Sequence, residues 1–293
     1  MRPDPTDRCL PAAPRQAGFT LVEMVMALVV FGLMAATLTV FLRPALEAYL
    51  SSRARAELTA QGDSALRRMV QDVQSAVPNS IRAPSTGCIE LVPTSAGGRF
   101  RKGPDTVNGG AVALDNSAAT TSFDVLTPLP TTPAIGDWVV VDNQNAGDVY
   151  SGVNRAAITS VSTPAASAGR HRLGVVSTQF PLGYDGGRFV VVPASQQAVF
   201  YYCIGADGSE DANGNGRGSL HRSRNYGFNA GYPATCPTTA GDVLASAVKS
   251  CRFVYDPNQG ATQQNGFVSI QLELSRRGDS VSLVVGAHVA NVP

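Results

Sequence analysis

One carboxylate stands inside the most apolar stretch of the chain. Glu23 is the single charged residue of GFTLVEMVMALVVFGLMAATLTVFL, which runs from Gly18 to Leu42. A carboxylate within a membrane span costs on the order of 2.5–3.5 kcal/mol at the helix centre and less near an end, so it is a functional candidate whose partner has to be found. A cut between Gly18 and Phe19 creates an α-amino group four residues from Glu23, about one helical turn away. Such a cation on a neighbouring copy could then meet the carboxylate.

Thiol chemistry is the second candidate. The five cysteines are Cys9, Cys88, Cys203, Cys236 and Cys251. Removing the first residues takes Cys9 away. Cys88, Cys203, Cys236 and Cys251 remain, an even set suited to two disulfides in an oxidising compartment. Three connectivities are open, of which Cys236–Cys251 closes the shortest loop. Metal binding fits these thiols poorly, because there is no C-x-x-C and no neighbouring His cluster.

The third candidate is an oxygen cluster. In DANGNGRGSLHR, Asp211, Asn213 and Asn215 occupy positions one, three and five of a calcium loop, with Gly216 at the turn. Arg222 stands at position twelve, where a bidentate Glu belongs. Asp207 and Glu210 upstream offer further oxygens. The same residues read as a polar hairpin turn rich in Asn-Gly, and that is the preferred reading. No other cofactor is expected.

Nothing comparable supports catalysis. His171, His221 and His288 are isolated, with no H-E-x-x-H and no Ser elbow. GYDGGRF and NGNGRG do not join a strand to a helix as a phosphate loop must. Trp138 in DWVVVD reads as core. With 23 Lys+Arg against 22 Asp+Glu, the charge balance gives no footprint for nucleic acid.

What must position these groups? From Phe19 to Leu42 a helix spans roughly 36 Å, enough to cross a bilayer. A removable secretory signal fits poorly, since its apolar core is about 7–15 residues long and ends at a small-residue cleavage site. Here Arg43-Pro44 follows. A lipoprotein signal also fails, because Cys9 precedes the apolar run. Arg2, Arg8 and Arg15 favour a cytoplasmic N-terminus, with the large remainder translocated.

A short basic leader ending in Gly18, then Phe19-Thr-Leu-Val-Glu23 and about twenty apolar residues, resembles the prepilin signal of type IV pilins and pseudopilins. The resemblance implies cleavage after Gly18 by a membrane prepilin peptidase and N-methylation of Phe19. It implies that Glu23 draws the subunit into register through a neighbour's N-terminal amine. ALRRMVQDVQSAVPNSIR (65–82), IELVPTSAGGRF (89–100), LHRSRNYGF (220–228), CRFVYD (251–256), GFVSIQLELS (266–275) and AHVANVP are similar, in order, to the MshO family of minor subunits of the MSHA (mannose-sensitive haemagglutinin) pilus system. Minor pseudopilins of type II secretion systems share the general plan. The implied partners are other pilin-like subunits, the peptidase and an inner-membrane assembly platform. The implied location is a single pass in the inner membrane with a periplasmic head, surface-exposed in an assembled pilus.

Beyond Arg43 the pattern stays helical. Leu46, Tyr49/Leu50, Leu58, Leu66, Met69/Val70, Val73 and Val77 hold one face, while Arg53–Glu57, Asp63–Arg67 and Arg68–Asp72 read as i,i+4 pairs on a solvated face. Pro78 ends the helix, which covers roughly 19–77, and Pro44 and Gly62 are places for bending or loosening. Strands are expected at 88–92, 122–126, 137–142, 155–161, 172–177, 188–193, 197–204, 218–223, 251–255, 266–274 and 280–289. The last two form a hairpin through RRGD. The plan is α+β and pilin-like: leader 1–18, transmembrane and assembly helix 19–42, amphipathic half 43–77, and a β-rich head 84–293 with 101–187 as an insertion. The bulk of that head suits initiation or a fibre tip, and the Gly/Ser/Thr-rich insertion suits a tip binding module.

Overall fold

The computed structural model describes residues 18–107, 109–182, 186–259 and 265–291. Arg2, Arg8, Cys9 and Arg15 of the leader lie outside them. The chain divides into two compact units, Met1–Arg53 and Ala54–Pro293.

The first unit is helical. Helix α1, Leu21–Gln74, starts two residues later than expected and runs through Pro44. Every described side chain from Gly18 to Leu50 is exposed, including Leu46, Tyr49 and Leu50, which the periodicity had put on a packed face. Among the described residues, no element of this unit covers them. The threonines of the apolar run satisfy themselves: Thr37 Oγ1 donates to the Leu33 carbonyl at 3.0 Å, and Thr39 Oγ1 to that of Ala35 at 2.7 Å. That internal bonding is what a polar side chain needs in hydrocarbon.

In the second unit, α1 buries Leu58, Ala65, Leu66, Met69 and Val73, at the three- and four-residue spacing of one helical face. Gly62 lies on that face. A Cβ there would fall inside van der Waals contact of Leu283 Cδ1 and 2.9 Å from Leu274 Cδ1. Gly62 is therefore a point of close approach to the sheet, and not the loosening point its low helix propensity suggests. The helix stops before Pro78 because the next residues pair with a strand: Ala76 bridges Pro93, and the Val77 N–H meets the Val92 carbonyl at 2.8 Å.

That helical face covers a seven-stranded antiparallel sheet. Its strands are β1 (Arg82–Ser85), β2 (Cys88–Leu91), β9 (Val199–Ile204), β10 (Gly218–Ser223), β11 (Asp242–Gln259), β12 (Asn265–Arg276) and β13 (Asp279–Ala290), in the spatial order β1-β2-β9-β10-β11-β12-β13. The β12–β13 hairpin turns at Arg277 and Gly278, with φ of 55° and 79°. Two left-handed residues match the twist of the flanking strands. β11 begins nine residues before the expected 251. Ala247 at φ 57° and shifted pairing on both neighbours break the alternation there.

A second antiparallel sheet uses β3 (Ala96–Arg99), β4 (Thr120–Val125), β5 (Trp138–Val141), β6 (Arg155–Ser162), β7 (His171–Thr178) and β8 (Arg188–Val192), in the order β3-β8-β5-β6-β7-β4, with the short helix α2 (Asp148–Ser151) between β5 and β6. Its first and last strands meet. Phe100 bridges Val125, the Arg101 N–H reaches the Asp124 carbonyl at 2.8 Å, and the Leu126 N–H reaches that of Arg99 at 2.8 Å. The six strands close into a small barrel around Phe123, Val139, Ile158, Leu173, Phe189 and Val191. Closure removes the sheet edges. The short strands β1 (RAPS) and β3 (AGGR) went unseen in the sequence because neither alternates apolar and polar residues.

Candidate functional site

The N-terminal segment is built from the start of α1 outward. Thr20 precedes the helix and accepts the Glu23 N–H on its hydroxyl at 3.3 Å, while the Thr20 carbonyl accepts the Met24 N–H at 3.1 Å. Thr-Leu-Val-Glu thus forms one half of a capping box. Sequence reading passed over Thr20, although the T-x-x-E spacing was there to be used. The other half is missing: among the described residues the Glu23 carboxylate has no partner. It sits in the first helical turn, where the helix dipole favours negative charge.

Gly18 and Phe19 lie ahead of the helix and are exposed, Phe19 to 85%. An α-amino group at Phe19 is thus not held in helical register with Glu23 of its own chain. Nothing described within the chain demands glycine at 18. Its φ is not left-handed, and a Cβ there would meet nothing within 4 Å.

The cysteines pair as Cys88–Cys236 and Cys203–Cys251, so the shortest-loop pairing is not the one formed. The first pins the 224–241 segment to β2. The second joins β9 to β11, which β10 separates in the sheet order.

Asp207, Glu210, Asp211, Asn213 and Asn215 are engaged in a turn. Asp211 Oδ1 accepts the N–H groups of Asn213 (2.8 Å) and Asn215 (2.9 Å), and these bonds, with Asn215 foremost, hold its carboxyl below the usual range. Asp207 takes the Ser209 hydroxyl and N–H. Glu210 takes Ser275 Oγ at 2.8 Å and Lys249 Nζ at 3.1 Å. The turn docks on the β12–β13 corner through Gly216 N–H to the Ser275 carbonyl and Gly278 N–H to that of Gly214. Among the described residues no three His, Cys, Asp or Glu gather as a metal site would need.

Two buried polar clusters escaped the sequence. Asp72, expected on a solvated face, is buried. Its Oδ2 takes Arg222 Nη2 at 2.8 Å and the Tyr201 hydroxyl at 2.6 Å, and Arg222 Nη2 also donates to Gln196 Oε1 at 2.6 Å. Burial and Asp72 together push the Tyr201 phenol up. In the second cluster Arg82 donates to the carbonyls of Ala146, Asn229 and Gly231 and stacks 3.4 Å from the Tyr150 ring centroid. Beside it, Glu90 accepts the Tyr226 hydroxyl at 2.8 Å, and burial raises its carboxyl. Both clusters join residues far apart in sequence, and both tie elements together.

His221 is buried, stacked on Tyr202 and 2.6 Å from Ser219 Oγ. Both residues lie within β10, not at the strand-to-helix turn of a nucleophile elbow. Trp138 packs edge-on against Phe228 under the Arg155 guanidinium.

Residues 13–39 match the model of the prokaryotic N-terminal methylation motif. No curated protein and no solved structure matches the chain. The motif supports a type IV pilin-like prepilin signal and a pilin-like or pseudopilin protein, a class of structural subunits that assemble with one another and with membrane machinery. Among the described residues one helix, α1, is long and apolar enough to cross a membrane.

Proposed function

We propose that this chain is a minor pilin-like subunit of an MSHA-type pilus assembly system, cut by prepilin peptidase after Gly18 and N-methylated at Phe19. One observation carries the reading. The methylation motif covers an exposed Gly18–Phe19 bond and most of the exposed apolar run to Leu42, whose one carboxylate, Glu23, has no partner among the described residues. In the assembled fibre the Phe19–Leu42 helices of neighbouring copies bury one another, and a neighbour's N-terminus neutralises Glu23. Before assembly the subunit spans the inner membrane once, with its head in the periplasm. Two disulfides suit that compartment.

The head favours initiation or the tip over the shaft. It carries a closed barrel in addition to the sheet that packs on α1, and a tightly repeating shaft leaves little room for such bulk. The ordered similarity of 65–82, 220–228 and 266–275 to the MshO family supports the MSHA assignment over a type II secretion pseudopilin. A second reading keeps the anchor and makes the barrel a tip binding module. Exposed Val107, Ile135 and Leu182 on its connecting segments favour it.

Mass spectrometry of the protein from its membrane tests the main reading. A chain beginning at methylated Phe19 is expected. An intact Met1, or a first residue other than Phe19, refutes the assignment.

A further inference from the structure

We infer that a groove between the end of α1 and the barrel strands β3 and β8 binds a sugar acid, a carboxylate with hydroxyl groups on neighbouring carbons. Such binding requires neither processing at Gly18 nor assembly, which the mature N-terminus tests separately. A pair of like charges marks one part of the groove. Arg99 and Arg188 are direct partners across β3 and β8, and both are exposed. The Arg99 N–H goes to Thr127 Oγ1 at 3.0 Å, and the Arg99 carbonyl takes the Leu126 N–H at 2.8 Å. Both groups turn away from β8. The pair is therefore of the non-hydrogen-bonded kind, in which Cα atoms stand about 4.5 Å apart and side chains are closest.

Like charges placed directly opposite are destabilising. Among the described residues neither guanidinium has a hydrogen bond or an ion pair. Asp142, which lines a small cavity together with Arg188, makes no ion pair with it. Two adjacent guanidinium forks without a counter-charge are what an oxyanion stabilises, one fork to each carboxylate oxygen.

The groove has a volume of about 410 Å³, within the range of roughly 300–1,000 Å³ common for small-molecule sites. Gly97 stands two residues before Arg99, on the same face of β3, so no side chain from it fills the space beside the arginines. Gln74, Ser75 and Thr94 also line the groove, and among its described lining residues there is no carboxylate. Thr94 Oγ1 donates to the Ser75 carbonyl at 2.7 Å, and Ser75 Oγ donates to the Gln71 carbonyl at 2.8 Å. Their protons are spent, and their oxygens are left as acceptors. Gln74 is the last residue of α1, and its amide has no partner among the described residues. The C-terminal end of a helix disfavours an anion. The charge of a ligand therefore belongs at the arginines and its O–H donors at the helix end. An acidic peptide carries its carboxylate on an apolar stem with no hydroxyl beside it. A uronic acid ring supplies both groups on one rigid frame.

Isothermal titration calorimetry of the full chain in detergent tests this with galacturonate, trigalacturonate and the neutral galactotriose. Trigalacturonate should bind, more weakly as salt is raised, and galactotriose should not. Arg99→Gln and Arg188→Gln should each weaken binding about tenfold or more. Arg252→Gln, an exposed arginine of β11, should leave it unchanged. Each of the first two variants removes one of two opposed like charges, so its melting temperature should equal or exceed that of the parent. Equal affinity for galacturonate and trigalacturonate supports the site with a free sugar acid as its source. Tighter binding of trigalacturonate supports it with an acidic polysaccharide. Absence of binding by either acid, equal binding of galactotriose, or equal loss in Arg252→Gln overturns the inference. So does a lower melting temperature in both arginine variants, which would give the pair to the fold. A hexaglutamate peptide that binds as tightly as trigalacturonate also overturns it, and assigns the groove to acidic peptides.

Discussion

The Asp72 carboxylate meets the Arg222 guanidinium 2.8 Å away, joining α1 to β10 inside the head, with the Tyr201 hydroxyl on the same oxygen. Removing one member of a buried pair leaves the other charge uncompensated, at a cost of about 3–5 kcal/mol. Asp72→Ala and Arg222→Ala should each destabilise the protein by that order in denaturant titrations. The double variant should lose clearly less than the sum. Additive losses would show that the two residues act separately.

Asp142 is buried at the end of β5, its Oδ1 has no hydrogen-bond partner among the described residues, and burial pushes its carboxyl up to about 6 despite nearby Lys102. The unfolded chain ionises it near 3.9. The folded state therefore binds more protons between those values, and stability falls as pH rises through about 6. A loss of about 1–3 kcal/mol between pH 5 and pH 8 is expected. Asp142→Asn should flatten that slope, since Asn also tolerates the residue's left-handed φ of 51°. An unchanged slope in the variant would assign the pH dependence elsewhere.

Cys236→Ser releases the 224–241 segment from β2. Loss of a native disulfide costs about 2–5 kcal/mol. Limited proteolysis should cut first within 224–241, ahead of any cleavage in the barrel. Cys203→Ser should instead loosen β9 against β11 and leave that segment as resistant as in the parent.

Gly18→Ala should leave a full-length precursor on a gel. Glu23→Ala should permit cleavage and impair incorporation into fibres, with the cleaved subunit accumulating in the membrane. Normal processing of the first variant, or normal assembly of the second, contradicts the role given to that residue.

Much of the architecture could be read from the sequence where its causes are local. The methylation motif is contiguous, the buried face of α1 from Leu58 to Val73 recurs at helical spacing, and β12 and β13 alternate over much of their length. What could not be read depends on partners far away. Asp72 has the same i,i+4 relation to Arg68 that an exposed residue would have, and only Arg222, 150 positions on, makes it a core residue. Arg82 likewise depends on Ala146 and Asn229. Barrel closure rests on Phe100 meeting Val125, which no local periodicity records. The disulfide pairing follows from where the fold brings the 224–241 segment to β2 and β9 near β11, and not from loop length. Gly62 looked like a weak point by propensity, and the sheet turned it into a contact.

Leu91 and Val199 are direct partners in the sheet, although the whole barrel is threaded between them. At its base the Ser95 N–H meets the Val191 carbonyl at 2.9 Å, so the chain returns almost to where it left. To the sheet, the barrel is a closed loop. Loop-closure entropy rises only logarithmically with length, about 0.6 kcal/mol per doubling. A lineage could therefore shrink, exchange or enlarge what lies between those two residues while the strand order holds, provided that contacts such as Arg82 to Ala146 are remade. Diversification of the barrel is thereby uncoupled from inheritance of the anchor.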